Sequence, residues 1–190
     1  MLYCYCYTAI ILFCGMIMEN KKVKIHLKAT VTDLTLAEKY KHACVGGYFT
    51  ADDGRRLPYE AIGSACDEVM SSSAVGEMTR EGTRVTIRYE ESADLGYACI
   101  TSLIYDETEP DALTMIRTGE LNAAFRFDRR NRRQLCTYET PVMPIEFTVY
   151  TRNLRNTVEK DGGAILLDYY LEVRGVNTER NRLVIEVQPL

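Results

Sequence analysis

The sequence predicts an all-β protein: an antiparallel up-and-down barrel of eight to ten strands carrying a partly helical insertion. Three observations carry that prediction. Apolar and polar residues alternate with period two over most of the chain, the pattern of strands with one buried face. Short turn sequences separate the alternating segments, which makes consecutive strands antiparallel neighbours. A meander of so many strands leaves two unpaired edges unless it closes. A sandwich is the alternative, but its Greek-key crossovers need longer links than this chain provides.

Segment 23–31 is the clearest strand. Val23, Ile25, Leu27, Ala29 and Val31 point one way, and Lys22, Lys24, His26, Lys28 and Thr30 the other. The stretch 33–66 breaks the alternation. Thr35-x-x-Glu38 reads as a capping box, with Leu36 and Tyr40 one turn apart. Asp53-Gly54 marks a turn, and Pro58 opens a second helix with Ile62, Ala65, Cys66 and Val69 on one face. Leu36 and Tyr40 need a surface to cover, and the nearest is the barrel opening. The insertion is therefore expected to cap that opening and gate a pocket.

A strand from residue 68 then meets strand 83–90 across Glu81-Gly82. In 83–90, Val85, Ile87 and Tyr89 oppose Thr86, Arg88 and Glu90. Segment 97–105 is apolar on both faces and reads as a central strand. Segments 112–117 and 120–127 follow, the latter with Leu121, Ala123, Phe125 and Phe127 on one face. Segments 134–140, 145–158, 164–174 and 182–188 complete the set. The links between them are Thr118-Gly119, the tip 129–133, Asp161-Gly162-Gly163, and residues 175–180.

Composition narrows the function. Of 190 residues, 46% are hydrophobic and 26% charged, which excludes a disordered or low-complexity chain. Lys and Arg total 23 against 27 acids, a net charge of −4. No basic excess points to nucleic acid or an anionic membrane. Residues 1–18 are uncharged and apolar, with Lys21, Lys22 and Lys24 after them. We read them as a start assigned too far upstream, with a membrane anchor or a cleaved signal as alternatives. In the first two cases residues 19–190 stay in the cytoplasm. The cysteines, Cys4, Cys6, Cys14, Cys44, Cys66, Cys99 and Cys136, show no C-x-x-C or zinc spacing and read as reduced.

Chemistry-bearing motifs are missing: no Walker loop, no G-x-G-x-x-G, no H-E-x-x-H, no G-x-S-x-G and no EF-hand loop. The two histidines are His26, on the lysine face of its strand, and His42. No metal site and no cofactor is implied. One polar residue stands out. Arg117 shares the inward face of Leu113 and Met115. A buried arginine needs a carboxylate, and by strand position the candidates are Glu90 and Glu139. Such an arginine either plugs a barrel end or clamps an anionic head group bidentately. There are 13 tyrosines, with Tyr89, Tyr97, Tyr105, Tyr138, Tyr150, Tyr169 and Tyr170 in strands, fit either for packing or for a pocket wall. Arg126, Arg129, Arg130, Arg132 and Arg133 form a basic cluster at a hairpin tip, read as a solvated turn.

From Val85 to Val187 the chain resembles the YwiB-like family, bacterial proteins of unknown function. The matching pieces are Tyr89-Glu90-Glu91, Arg117-Thr118-Gly119, Tyr138-Glu139-Thr140-Pro141, Thr151, and Asp168-Tyr169 after Gly162-Gly163. Residues 19–31 look like that family's first strand. Residues 33–66 look like an addition, and Met143 stands where the family usually has glycine. The resemblance implies a lipocalin-like (calycin) barrel and a cytoplasmic setting, and it implies no reaction. Without tryptophan the chain lacks the G-x-W signature of secreted lipocalins.

The expected function is to hold a small hydrophobic or amphipathic ligand in the barrel mouth, with Tyr89, Glu90, Arg117, Tyr138 and Glu139 as binding residues. A filled structural or interaction barrel is one alternative. An enzyme built on Glu90, Arg117, Tyr138 and Glu139 is the other. No nucleic-acid partner is expected, and a membrane only if residues 1–18 insert.

Overall fold

The computed structural model describes residues 18–91, 98–140 and 142–190. The expectations for residues 1–17, Tyr97 and Pro141 lie outside them.

The first strand, β1 (Met18–Asp33), leads into helix α1 (Leu34–Ala43) and a small hairpin of β2 (Tyr48–Thr50) and β3 (Arg56–Pro58). A 3-10 turn at Tyr59–Ala61 and the short α2 (Ile62–Ala65) return the chain to β4 (Asp67–Glu81). Then come β5 (Arg84–Glu90), β6 (Cys99–Asp106), β7 (Ala112–Gly119), β8 (Asn122–Asp128) and β9 (Arg133–Glu139). The last three are β10 (Pro144–Asn156), β11 (Gly163–Val173) and β12 (Val176–Pro189). Ten strands close into one antiparallel barrel, running β1-β12-β11-β10-β9-β8-β7-β6-β5-β4 and back to β1. Apart from the closing contact, every neighbour is a sequence neighbour once the insertion is set aside. The closure joins first and last strands in register from Val23↔Pro189 to Asp33↔Glu179, so neither is left as an edge.

The barrel has two ends. At the lower end lie the β4–β5, β6–β7, β8–β9 and β10–β11 turns; at the upper end lie the insertion and the other turns. The lower and middle interior is solid. Val85, Ile87, Leu103, Leu113, Phe127, Val149, Ile165 and Ile185 are completely buried there, and Val85, Ile87, Phe127, Ile165 and Ile185 lie on faces that the alternation predicted. Pairing is less complete near the top. β5 pairs with β4 only from Gly76 to Glu81, so among the described residues β4 above Gly76 is bonded to β1 alone. Gly76 allows the close contact where that pairing ends, because a Cβ there would lie 2.4 Å from the Arg88 carbonyl oxygen.

Several local expectations are corrected. Helix α1 starts at Leu34 with Asp33 as its N-cap, the carboxylate accepting from the Leu36 N–H at 2.8 Å; the cap is not Thr35. The helix expected after Pro58 is only a turn or two long, and Val69 lies on β4, exposed. β7 runs through Gly119, so Glu120 and Leu121 form the link. The last hairpin turns at Arg174 and Gly175, both at positive φ, and β12 starts at Val176 rather than 182.

The insertion does not use the barrel opening to bury its apolar residues. Tyr40, Phe49, Ala37, Ala51, Ile62 and Cys66 form a separate small core, with Leu36 packed on it. The Tyr40 and Phe49 ring centroids are 4.7 Å apart, and the Tyr40 hydroxyl accepts from the Asp52 N–H at 3.0 Å. At its base the Asp33 N–H donates to the Cys66 carbonyl. Arg182 donates to both oxygens of Asp67, at 3.0 and 3.2 Å. Cys44, Cys66, Cys99 and Cys136 are free thiols, and burial pushes the Cys66 and Cys136 thiols up. No helix among the described residues is long and apolar enough to cross a membrane.

Candidate functional site

Register alone builds one inward-facing layer across five consecutive strands near the upper end. Tyr89 stands opposite Thr101, Thr101 opposite Arg117, Arg117 opposite Ala123, and Ala123 opposite Tyr138. Partners in an antiparallel pair share a face, so all five point into the barrel. The small Ala123 leaves space for the guanidinium to pass over β8 and donate to the Tyr138 hydroxyl at 2.5 Å.

The carboxylate that meets Arg117 is Glu91. Arg117 Nε donates to Glu91 Oε1 at 3.0 Å and Nη2 to Oε2 at 2.5 Å, a side-on bidentate pair. The buried Thr101 hydroxyl also donates to Glu91 Oε1. The sequence pointed to Glu90 or Glu139 as the partner of Arg117, but neither pairs with it, and the reason is parity. Tyr89 points inward, so Glu90 points outward and Glu91 inward; Tyr138 points inward, so Glu139 points outward. Both Glu90 and Glu139 are exposed. The side chains of Glu91 and Arg117 keep only 10% and 19% of their exposure. Burial works against the Arg117 charge, but the hydrogen bonds and charge of Glu91 outweigh it and hold the guanidinium pKa above its ordinary value.

This pair forms one edge of a cavity of about 220 Å³. Leu27, Met70, Met115, Leu183 and Phe125 supply its apolar wall, and Tyr89, Tyr169 and Ser72 add hydroxyls. Burial pushes the Tyr89 and Tyr169 phenols well up, so both stay neutral at physiological pH. Beneath lies an aromatic cluster: Phe127 packs on Tyr169 at 4.9 Å, and Phe125 on Tyr138 and Phe147 at 6.1 and 6.0 Å. None of the described lining residues comes from the insertion, so the expected gate over the cavity is not formed by that segment.

Of the five residues expected to bind a ligand, the structure brings Tyr89, Arg117 and Tyr138 together and leaves Glu90 and Glu139 on the outer wall. Glu91 is the residue that sequence reasoning missed. Its signal was present: Val85, Ile87 and Tyr89 set an inward parity that continues to position 91. His26 lies on the outer wall, where its Nδ1 is 2.7 Å from the Ser73 hydroxyl. There it lines a wide groove with Lys28, Ser71 and Glu186. The Arg-rich tip is exposed at the lower end, with Arg129 and Arg130 paired to Asp111. Tyr150 and Tyr170 stack on each other outside the barrel. No group of three or more metal-ligating side chains is assembled among the described residues.

Comparison with known families places this barrel. The profile described as "Domain of unknown function (DUF1934)" matches residues 59–185. The chain belongs to this family. The DUF1934 match takes in nine of the ten barrel strands in whole or in part, together with Glu91, Arg117 and Tyr138. Among solved structures the chain is similar to the ywiB protein from Bacillus subtilis, with a TM-score of 0.63 and 17% identity. That match covers 91% of this chain and 95% of the other, and at this identity it shows a shared fold. The resemblance to YwiB-like proteins read from the sequence therefore holds. No curated protein matches this chain.

Proposed function

We propose that this protein is a small-molecule binding module that holds a hydrophobic or amphipathic ligand in the upper cavity. One observation carries the reading: the barrel is solid below and hollow above, and the hollow is edged by a buried, fully formed ion pair. A barrel serving only as a structural block gains more from a Leu or Phe in that space than from a desolvated Arg–Glu pair. Apolar walls with a few convergent polar groups are the usual make-up of a ligand site. The family assignment supplies the fold and no activity, and fold alone does not set function. The free thiols support a reducing, cytoplasmic setting, in keeping with a bacterial protein of this family.

The test is native mass spectrometry of protein purified from its own host. The expected result is a bound adduct that is lost in Ser72→Phe, which fills the cavity from its wall. Absence of an adduct, together with no uptake of an added apolar probe, overturns the reading.

A further inference from the structure

We propose that Glu91 sets the charge of the ligand, so that the cavity takes an uncharged molecule with an amide- or alcohol-like head and rejects carboxylates and phosphates. This rests on the ligand-binding reading above. The obvious role for a buried arginine facing a hollow is to clamp an anion. Here the clamp is already occupied. Nε and Nη2, the two donors that would grip a carboxylate, are spent on the two oxygens of Glu91. The pair is neutral as a unit, and the other titratable side chains on the described wall are the neutral phenols of Tyr89 and Tyr169. An anion entering the cavity would lose its water, find no free positive charge, and meet the Glu91 carboxylate on the charged edge. A cation would meet the Arg117 charge there.

What the edge retains is hydrogen-bonding capacity of both signs. A guanidinium has five N–H donors; two go to Glu91 and one to Tyr138. Glu91 Oε1 accepts from both Thr101 and Arg117, whereas among the described residues Oε2 accepts from Arg117 alone, and a carboxylate oxygen can take about two such bonds. A group that carries both an acceptor and a donor, such as a primary amide, lactam or phenol, matches that pattern. Size limits the remainder. A cavity of about 150 Å³ takes up benzene, so one of about 220 Å³ encloses about nine heavy atoms, and a two-ring ligand would extend into its open mouth. Phe125 and Met115 would contact its face.

The test uses two shape-matched probes, 2-naphthamide and 2-naphthoate, titrated by calorimetry into the full chain. The wild type is expected to bind the amide at least about tenfold more tightly than the carboxylate. Glu91→Gln keeps the shape but leaves Arg117 uncompensated, and the preference should reverse. If Glu91→Gln does not fold, the doubly neutral Glu91→Gln/Arg117→Gln variant should keep the wild-type order, since it too offers no net charge. Equal or tighter binding of naphthoate by the wild type overturns the inference. So does an amide preference unchanged in Glu91→Gln, or its loss in the double variant. If neither probe binds any of the three proteins, the ligand-binding reading itself is overturned, and the inference with it.

Discussion

Each end of the barrel buries an arginine, and the two differ in what lies beside them. At the upper end Arg117 meets Glu91, which is itself almost buried, and the pair faces a cavity. At the lower end Arg80, on the inward face of β4 and 7% exposed, meets Glu107, whose side chain is 41% exposed. Glu107 reaches in from the β6–β7 turn, and Arg80 Nε and Nη2 have no partner among the described residues. The layers adjoining the two arginines explain the contrast. Near Arg80 stand Met78, Val85 and Tyr105, all buried. Near Arg117 stand Ala29, Ser72 and Ala123, whose small volumes leave the hollow. An arginine at an inward strand position therefore says nothing by itself about ligands. The size of the residues in its layer decides whether it plugs or lines.

The sharpest way to break this comparison is to remove each arginine. Arg117→Ala leaves Glu91 buried and unpaired and should cost about 3–5 kcal/mol in urea unfolding. Arg80→Ala leaves Glu107 free to turn into water, and should cost about 1–2 kcal/mol. Equal losses would mean the two ends are electrostatically alike. Leucine truncation probes packing in the same way. Leu113→Ala, in the solid interior, should cost about 2–5 kcal/mol. Leu27→Ala, on the half-buried cavity wall, should cost about 1 kcal/mol, because the space beside it is already open. A loss at Leu27 as large as that at Leu113 would show the cavity to be a packed region.

Alkaline pH separates the ends further. Burial raises the Tyr89 and Tyr169 phenol pKa values in the folded protein, while an unfolded tyrosine titrates near about 10. The folded state therefore holds its phenolic protons more tightly. Stability from this source is complete below about pH 10 and falls above it, by up to about 1.4 kcal/mol per phenol per pH unit. Urea midpoints between pH 8 and 11 should drop less steeply in Tyr89→Phe/Tyr169→Phe than in the wild type. Tyr105→Phe, at the lower end, should flatten the slope less, since its phenol is raised less strongly. Slopes that match across all three proteins would show that these phenols are not held neutral by the fold.

Much of this architecture was legible because period two is a strong signal wherever β-branched and aromatic residues carry it, as in β1, β5, β8 and β11. Arg117 was readable for the same reason, by its parity with Leu113 and Met115. Glu91 was legible in principle, and was missed because it follows the last apolar residue of its strand, where the contrast ends. Arg80 was harder to find. β4 alternates Ser, Ala, Gly and Met, residues of weak hydropathic contrast, so neither its face nor its period stood out. The separate core of the insertion was not readable at all. It is assembled from α1, β2 and residues around α2, whose helical spacing gives a face but not its partner, and only tertiary contact brings Tyr40, Phe49 and Ile62 together.

The smallest expected effect tests whether the upper end is one region or two. Asp33 caps α1 with its carboxylate, and losing a cap of this kind costs about 1 kcal/mol. Asp33→Ala should loosen the insertion by that amount. The insertion buries its apolar residues in its own core, and none of the described cavity wall belongs to it. Its loosening should therefore leave naphthamide affinity unchanged while increasing hydrogen exchange in 34–43. The backbone bond from Asp33 to Cys66 and the Arg182–Asp67 contact lie at the foot of the insertion, where β1 ends and β4 begins, and should hold the junction in place. A fall in naphthamide affinity with Asp33→Ala would mean that helix order reaches the cavity through β1, where Ala29 and Leu27 lie four and six residues before Asp33. The insertion would then belong to the binding end after all, and the contrast between a solid lower end and a hollow upper one would have to include it.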